Sequence, residues 1–392
     1  MPLPGTPHAN PARTDPLFIG LMSGTSTDGV DGVIARFRGQ GGTGARLQTL
    51  AHVFAPMPEE LRQTLLALNL AGHNELHLGA LAANALARLQ ASVVHQLLDQ
   101  TGCMPREVTA VGSHGQTVRH RPAEFDGTGY TCQLNNGALL AELCGIDVVC
   151  DFRSRDVAAG GQGAPLVPAC HAELFALADA PRAVLNLGGI GNLSVLPARS
   201  DAAGRVTGFD CGPANALMDH WCQQHLGQPF DRGGAWAASG TMHVALLELL
   251  LSEPFLAQDP PKSTGRDLFN VAWLSRHLAS HGDVAPADVQ ATLTEFTARA
   301  ACDALTQHCL PGTRDLLVCG GGALNGHLMR RLAALLPGWR VAATDSAGVP
   351  AMQVEAVAFA WLARAFCQRD AGNRAEVTGA RGPRVLGALY PA

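Results

Sequence analysis

The feature that most constrains this chain is a hairpin signature that occurs twice. At Phe18 to Phe37, FIGLMSGTSTDGVDGVIARF, a short apolar run breaks into a turn rich in glycine and hydroxyl groups and then resumes as a second apolar-rich run. The pattern returns at Ala183 to Leu196, AVLNLGGIGNLSVL, with Asn186, Gly188, Gly189, Gly191 and Asn192 at the bend. The likeness is one of pattern and not of identity. Each stretch reads as strand, tight loop, strand, and each opens its own series of strands and helices. That arrangement suggests a duplicated lobe whose two loops can face each other across one cleft.

The composition of the first loop points to phosphate. Ser23, Gly24, Thr25, Ser26 and Gly29 offer backbone N–H groups and hydroxyls without bulky side chains, as a phosphate cradle requires. Asp28 and Asp31 add oxygen ligands of the kind a hard cation such as magnesium prefers. The same glycines also suit an ordinary hairpin turn, and this segment alone does not choose between the two readings.

Further along, VTGFDCGPANALMDHW places Asp210 at the end of a strand that starts near Val206, ahead of a helix beginning near Ala214. An acid there can act as a general base or hold a metal-bound water, or it can cap the helix. Leu316 to Cys319 reads as a buried strand running into Gly320 to Asn325 and a helix through Leu336. Consecutive glycines between strand and helix let a phosphate or a flat ring approach the backbone. Past the strand Val108 to Gly112 lies SHGQTVRHRP, with Ser113, His114, Gln116, Thr117, Arg119 and His120 where α/β sheets place ligand crevices. A polar surface loop, or a satisfied core histidine at His114, is the competing reading. In DFRSRDVAAGGQGAP, Asp151, Arg153, Arg155 and Asp156 precede a glycine-rich bend. An arginine there can grip a carboxylate in a bidentate fork, or the charges can pin a crossover between lobes. Glu355, the one acid in an apolar helix from about Met352 to Phe366, is assigned to the exposed face of its first turn, with a hinge or site contact as the competing reading.

The strand and helix pattern around these motifs is α/β. Ala45 to Phe54 reads as a third strand, and Glu75 to about Thr101 as a long helix covering a sheet face. At 392 residues the chain has room for two domains of roughly 100–200 residues each. A net charge of −5 and a pI near 6.3 give no general attraction to nucleic acid or to anionic membranes, so any phosphate must be held locally. Lys262, in PPKSTGRD, is the only lysine among 28 basic residues, which makes it a candidate anion contact or a solvated loop charge. Eleven scattered cysteines without a C-x-x-C pair argue against a disulfide framework or a zinc cluster and suit a reducing cytoplasm. The first fifteen residues, MPLPGTPHANPARTD, lack the apolar core of a signal peptide and read as a frayed tail. No later apolar run has the length of a membrane span.

Six segments, GLMSGTSTDGVD, GSHGQTVRH, DFRSRDVAAGGQGAPLVP, LNLGGIGNLS, GFDCGPANALMD and CGGGALN, occur in the order found in one family. The chain resembles the actin, Hsp70 and sugar-kinase superfamily and, within it, the anhydro-N-acetylmuramic acid kinases. The resemblance implies a two-lobed fold of duplicated ribonuclease H-like domains around an interdomain cleft. Residues 16–150 would form the first lobe, with a helix at about 353–368 packing back on it, and 151–352 the second. It implies ATP and magnesium as cofactors, and an amino-sugar substrate whose anhydro bridge is opened by water as the 6-oxygen is phosphorylated. It also implies a cytoplasmic homodimer with neither nucleic acid nor membrane as partner.

Matched motif by motif, Ser23, Gly24, Thr25, Ser26, Thr27, Asp28, Gly29 and Val30 would be the first phosphate loop, with Asp28 toward the metal. Gly188, Gly189 and Asn192 would be the second loop, and Gly320, Gly321 and Gly322 the nucleotide-side glycines. Asp210 falls on the catalytic base, and His114, Thr117 and Arg155 on sugar contacts. Thr27 stands where an apolar residue is commoner, and Ala214 where glycine is usual. A phosphoanhydride hydrolase and an ATP-gated binding module are the other functions this fold accommodates.

Overall fold

Both hairpins form, and each seeds a sheet. The computed structural model describes residues 15–24, 26–37, 47–265 and 268–392; Thr25, the tail before Asp15 and the expected strand start at Ala45 lie outside them. In chain order the strands are β1 (Leu17–Met22), β2 (Gly29–Phe37), β3 (Leu47–Pro56), β4 (Val108–Ser113), β5 (Gln116–Pro122), β6 (Gly129–Leu134) and β7 (Val148–Cys150). They continue as β8 (Arg182–Leu187), β9 (Ile190–Leu196), β10 (Thr207–Pro213), β11 (Asp315–Cys319), β12 (Arg340–Ala343) and β13 (Ala388–Tyr390).

One sheet has the order β13-β7-β4-β1-β2-β3 and the other β10-β9-β8-β11-β12. In each, an antiparallel meander (β1 to β3, β8 to β10) is extended from its first strand by parallel strands (β4 and β7, β11 and β12). The duplication that the two hairpins announced is therefore a duplication of topology. It is the doubled ribonuclease H-like arrangement of the actin, Hsp70 and sugar-kinase fold. Parallel neighbours need helical crossovers, which cover the sheet faces and explain the nearly continuous burial of β1, β8 and β11.

The long helix forms over Glu75–Thr101, burying Ala82, Leu86, Val93 and Leu97 on the stripe its periodicity sets, and ends on Gly102 in the left-handed conformation (φ 67°). On the second sheet, Pro286–His308 does the same work through Leu293, Phe296 and Ala304. Two helices lie between the sheets. Val167–Phe175 and Val354–Gln368 share one apolar cluster with Phe18 and Val33 of the first sheet and Val184 and Leu317 of the second.

The helix Val354–Gln368 is apolar nearly all round because it is covered on all sides. It approaches β1 and β4 so closely that a Cβ on Gly20 would stand 1.9 Å from the Ala356 carbonyl oxygen, and one on Gly112 2.1 Å from that of Phe359. Only glycine fits at either position.

Some segments depart from expectation. The polar stretch after β4 is not loop throughout: Gln116–Pro122 pairs with β6 in a two-stranded hairpin of its own. A short helix, Ser154–Ala158, occupies the charged segment before the glycine bend. The C-terminal residues supply β13, antiparallel to β7. No helix among the described residues is long and apolar enough to cross a membrane.

Gly20→Ala is expected to lose about 3 kcal/mol or more in urea denaturation, because neither backbone can retreat. Gly72→Ala, whose Cβ meets nothing within 4 Å, is expected to change stability by less than about 0.5 kcal/mol. Equal effects at the two sites would contradict this account of the packing.

Candidate active site

The turns of both hairpins and the glycines after β11 line a single cleft of about 720 Å³. Gly24, Ser26, Asp28, Asp31 and Arg62 come from the first-sheet side, and Gly188, Gly189, Asn215, Gly320 and Gly321 from the other. Ser23, Thr27, Gly29 and Val30 are buried beneath the first turn. Thr25 is not described.

The first turn is pinned from below. Thr27, at φ 53°, donates its N–H to the Gly24 carbonyl (3.1 Å), and the Ser26 hydroxyl donates to Asp28 (2.7 Å). The segment joining β4 to β5 and the first residue of β5 supply the rest. Gln116 donates to the Gly24 carbonyl (3.0 Å) and accepts from the Ser23 hydroxyl, while His114 Nδ1 donates to the Ser23 carbonyl (3.1 Å). The loop carbonyls are thereby occupied from the protein side, an arrangement that favours an anion on the opposite side.

The second turn is tied to the helix Asn215–Leu226. Backbone N–H groups of Asn215 and Ala216 donate to the carbonyls of Gly188 (2.9 Å) and Gly189 (3.1 Å), and the Asn215 side chain donates to Leu187 (2.8 Å). The glycines after β11 divide into two roles. A Cβ on Gly320 would collide with Asn186 Oδ1 and one on Gly322 with Leu187, both at 2.5 Å, whereas one on Gly321 would meet only Asn215 at 3.5 Å. Gly322 is a packing residue against β8, and Gly320 and Gly321 are the two that line the cleft.

Register places Asn186, Asn192 and Asp210 side by side across β8, β9 and β10, and directly opposed residues share a face. Asn186 Oδ1 and Asn192 Oδ1 are buried without a hydrogen-bond partner. Asp210 is inside β10, not at its end, just before a register irregularity that reaches Gly212. It does not cap the following helix. Its carboxylate accepts from the Thr264 N–H (2.9 Å), and its own N–H donates to the Lys262 carbonyl (3.1 Å). Burial raises its pKa to about 6, against the opposing pull of the Thr264 N–H. Neither Asp210 nor Asn192 is part of the 720 Å³ lining; both belong to the strands that carry its second turn.

Glu355 corrects the reading from sequence. It is not on an exposed face but lines the cleft, accepting from Asn186 Nδ2 (3.2 Å), because its helix is inserted between the sheets. Burial raises its pKa, and the charges of Asp31 and Asp28 add to that rise. A lone acid in an otherwise apolar helix was the available signal. With Asp28, Asp31, Asp219 and Asp231 it makes the lining acidic, against Arg62 as the lining's arginine. Asp31 is engaged by His52 Nε2 (2.9 Å), and Asp231 caps the helix Ala235–Ser239 through the N–H groups of Trp236 and Ala237 (both 2.9 Å).

On the first-sheet side, the sugar-contact candidates separate. His114 is buried, with Nδ1 on Ser23 and Nε2 accepting from Arg153 (3.0 and 3.2 Å), so neither ring nitrogen is available to a ligand. Burial, then the Arg153 charge, lowers its pKa to about 3, which keeps it neutral. His114 links the first turn to Arg153. Arg153, which also donates to the Gly163 carbonyl (2.7 Å), is the arginine that meets it; Arg155 is exposed on the short helix Ser154–Ala158. Thr117 stands on β5 with Gln133 (3.3 Å). Lys262 is buried and does not line the cleft.

Comparison with known proteins decides the family. The family model described as anhydro-N-acetylmuramic acid kinase matches residues 16–392. The chain belongs to the anhydro-N-acetylmuramic acid kinase family. It is 63% identical over 378 residues to the anhydro-N-acetylmuramic acid kinase of Variovorax paradoxus (strain S110), covering 96% of this chain and 99% of that one. The protein of that name from Ralstonia nicotianae is 59% identical over 377 residues, covering 96% and 97%. The one from Chromobacterium violaceum is 52% identical over 376 residues, covering 96% and 99%. Among solved structures, a ROK family glucokinase from Streptomyces griseus in complex with glucose and AMPPNP aligns over 89% of this chain and 99% of its own, with 15% identity and a TM-score of 0.40. As a member of the anhydro-N-acetylmuramic acid kinase family, this protein is a phosphotransferase.

A pKa raised to about 6 has consequences of definite sign. Asp210 is ionised above that pH and protonated below it, so if it is the base, kcat/KM is expected to fall about tenfold per unit on the acid side of pH 6. The ionised form is held at a cost in the native state, a cost relieved as pH falls. Asp210→Asn is therefore expected to raise the melting temperature at pH 8, by a stability gain on the order of 1–3 kcal/mol. A lower melting temperature would contradict the assigned environment.

Proposed function

We propose that this kinase opens the 1,6-anhydro bridge of 1,6-anhydro-N-acetylmuramic acid with water while passing the γ-phosphoryl group of ATP to the 6-oxygen. The product is N-acetylmuramic acid 6-phosphate, and the role is recycling of cell-wall peptidoglycan. In this reading Asp210 removes a proton from the water that attacks the anomeric carbon. The bond from that carbon to the bridging oxygen breaks, the oxygen keeps the electron pair, and it attacks the γ-phosphorus as ADP departs.

The observation that carries the reading is the environment of Asp210: a carboxylate with a pKa near 6, beside the unpartnered oxygens of Asn186 and Asn192, on the strands that lead into the second glycine turn. A base poised near neutrality can contribute about 100- to 10,000-fold. Positioning and charge neutralisation supply the remainder of phosphoryl-transfer catalysis.

The glycine turns support ATP as the donor, and the exposed apolar side chains of Phe230, Val271 and Leu324 in the same cleft offer a surface for its base. The acidity of the lining supports magnesium, since a polyphosphate beside Asp28, Asp31 and Glu355 needs a divalent cation between them. Among the described residues no group of three or more His, Cys, Asp or Glu gathers to hold a metal alone. The cation would take most of its ligands from phosphate and water. We assign Asp28 to it; the ion would neutralise charge on the transferring phosphoryl group. For the sugar we retain Thr117 and Arg155 as contacts, with Arg153 and His114 as the support beneath them. We place the enzyme in the cytoplasm, where its eleven free cysteines would stay reduced, and expect a homodimer.

Incubation with ATP, magnesium and 1,6-anhydro-N-acetylmuramic acid, followed by mass analysis, is expected to show a product heavier by one phosphoryl group and one water. ADP and inorganic phosphate beside unchanged sugar would make the protein a phosphoanhydride hydrolase instead. Asp210→Asn is expected to lower kcat by about 100-fold or more while calorimetry shows nucleotide binding retained.

A further inference from the structure

Lys262 is buried, 8% exposed, in a chain that has no other lysine. Its ammonium does not point at the cleft. It donates to the carbonyls of Leu256 (2.9 Å) and Phe255 (3.4 Å), in the 3-10 helix Pro254–Ala257, and lies over the rings of Phe255 (5.1 Å) and Phe209 (5.9 Å). Burying an ammonium is unfavourable unless such partners replace water, and here two carbonyls and two aromatic faces do so.

The backbone of the same residue faces the other way. The Lys262 carbonyl accepts from the Asp210 N–H (3.1 Å), and two residues later the Thr264 N–H donates to the Asp210 carboxylate (2.9 Å). The described residues between the helix Pro254–Ala257 and Leu268 have neither helix nor strand to stiffen them. Beside the backbone hydrogen bonds to Asp210, the lysine tail ties them to that helix. The target of that tail is packed against the strand of Asp210, since a Cβ on Gly212 would meet Leu256 Cδ2 at 3.2 Å. Side chain and backbone of Lys262 thus close a ring: β10, the 3-10 helix, the ammonium, the loop, and back to Asp210.

We propose that Lys262 is a positioning residue for Asp210: its ammonium ties the loop to the helix Pro254–Ala257, so that the loop backbone holds the carboxylate at two points. The inference rests on Asp210 acting as the base. It assigns Lys262 no contact with sugar or nucleotide, which separates it from an anion-binding lysine. Displacement of a catalytic group by about 1 Å can cost about 100-fold in rate.

The test is steady-state kinetics of Lys262→Met, with Lys262→Arg and Asp210→Asn run beside it. The Met variant is expected to fold, to lose about 10- to 100-fold in kcat, and to keep KM for ATP and sugar within about twofold, with the Arg variant recovering most of the loss. If circular dichroism shows the Met variant unfolded, Lys262→Gln, too short to span both carbonyls, takes its place under the same criteria. Parental kcat in the folded variant, a loss confined to KM, or an Arg variant no better than Met would overturn the proposal. Should Asp210→Asn remain fully active, the base assignment fails. An inactive Asp210→Asn beside a parental Lys262→Met sinks the Lys262 inference alone.

Discussion

The contact on which the rest of the molecule depends is backbone against backbone. The helix Val354–Gln368 lies on β1 and β4 at a separation that only Gly20 and Gly112 allow, and its other faces fill the space toward the second sheet. Two sheets, each with its own meander and crossovers, are joined through this element. With it in place, the glycine turn of each meander opens on the same cleft, and Glu355, at the helix start, is carried in beside Asn186. A side chain at Gly20 would displace the helix and with it the relation between the turns.

Charge is the second organising constraint. The cleft is walled by carboxylates, yet its loops have the small, donor-bearing composition that suits phosphate. A cation accompanying the phosphate would reconcile the two, which is the reason magnesium is proposed beside ATP. Burial acts in the same direction at Asp210 and Glu355, raising both pKa values, but the two carboxyls differ in their surroundings. Asp210 has a backbone N–H and a loop held by a buried lysine. Glu355 has an amide and the nearby charges of Asp28 and Asp31. Such separation of environments is how one site assigns different tasks to chemically similar groups.

The architecture was legible in the sequence where local pattern and tertiary role agree. The helix Glu75–Thr101 has a periodic stripe and no proline, and both hairpins carry apolar strands around a cluster of turn residues. What escaped depends on contacts distant in the chain. β5, QTVRHRP, is too polar to read as a strand, and it exists because β6 pairs with it. Glu355 looked exposed because nothing local shows that its helix is enclosed. Arg153 and Arg155 are indistinguishable in a charged run; which one reaches His114 is set by the start of the helix Ser154–Ala158. Lys262 drew notice as the only lysine, but an ammonium turned inward onto carbonyls cannot be told from one turned outward onto an anion until the fold is known.

The central claim is that water attacks carbon while phosphorus receives the bridging oxygen of the sugar. Single-turnover reaction in ¹⁸O-labelled water, quenched early and read by mass spectrometry of product fragments, tests it most directly. The account predicts label on the anomeric carbon of the phosphorylated sugar and none in its phosphate. Label in the phosphate, or in free inorganic phosphate beside intact anhydro sugar, would contradict it.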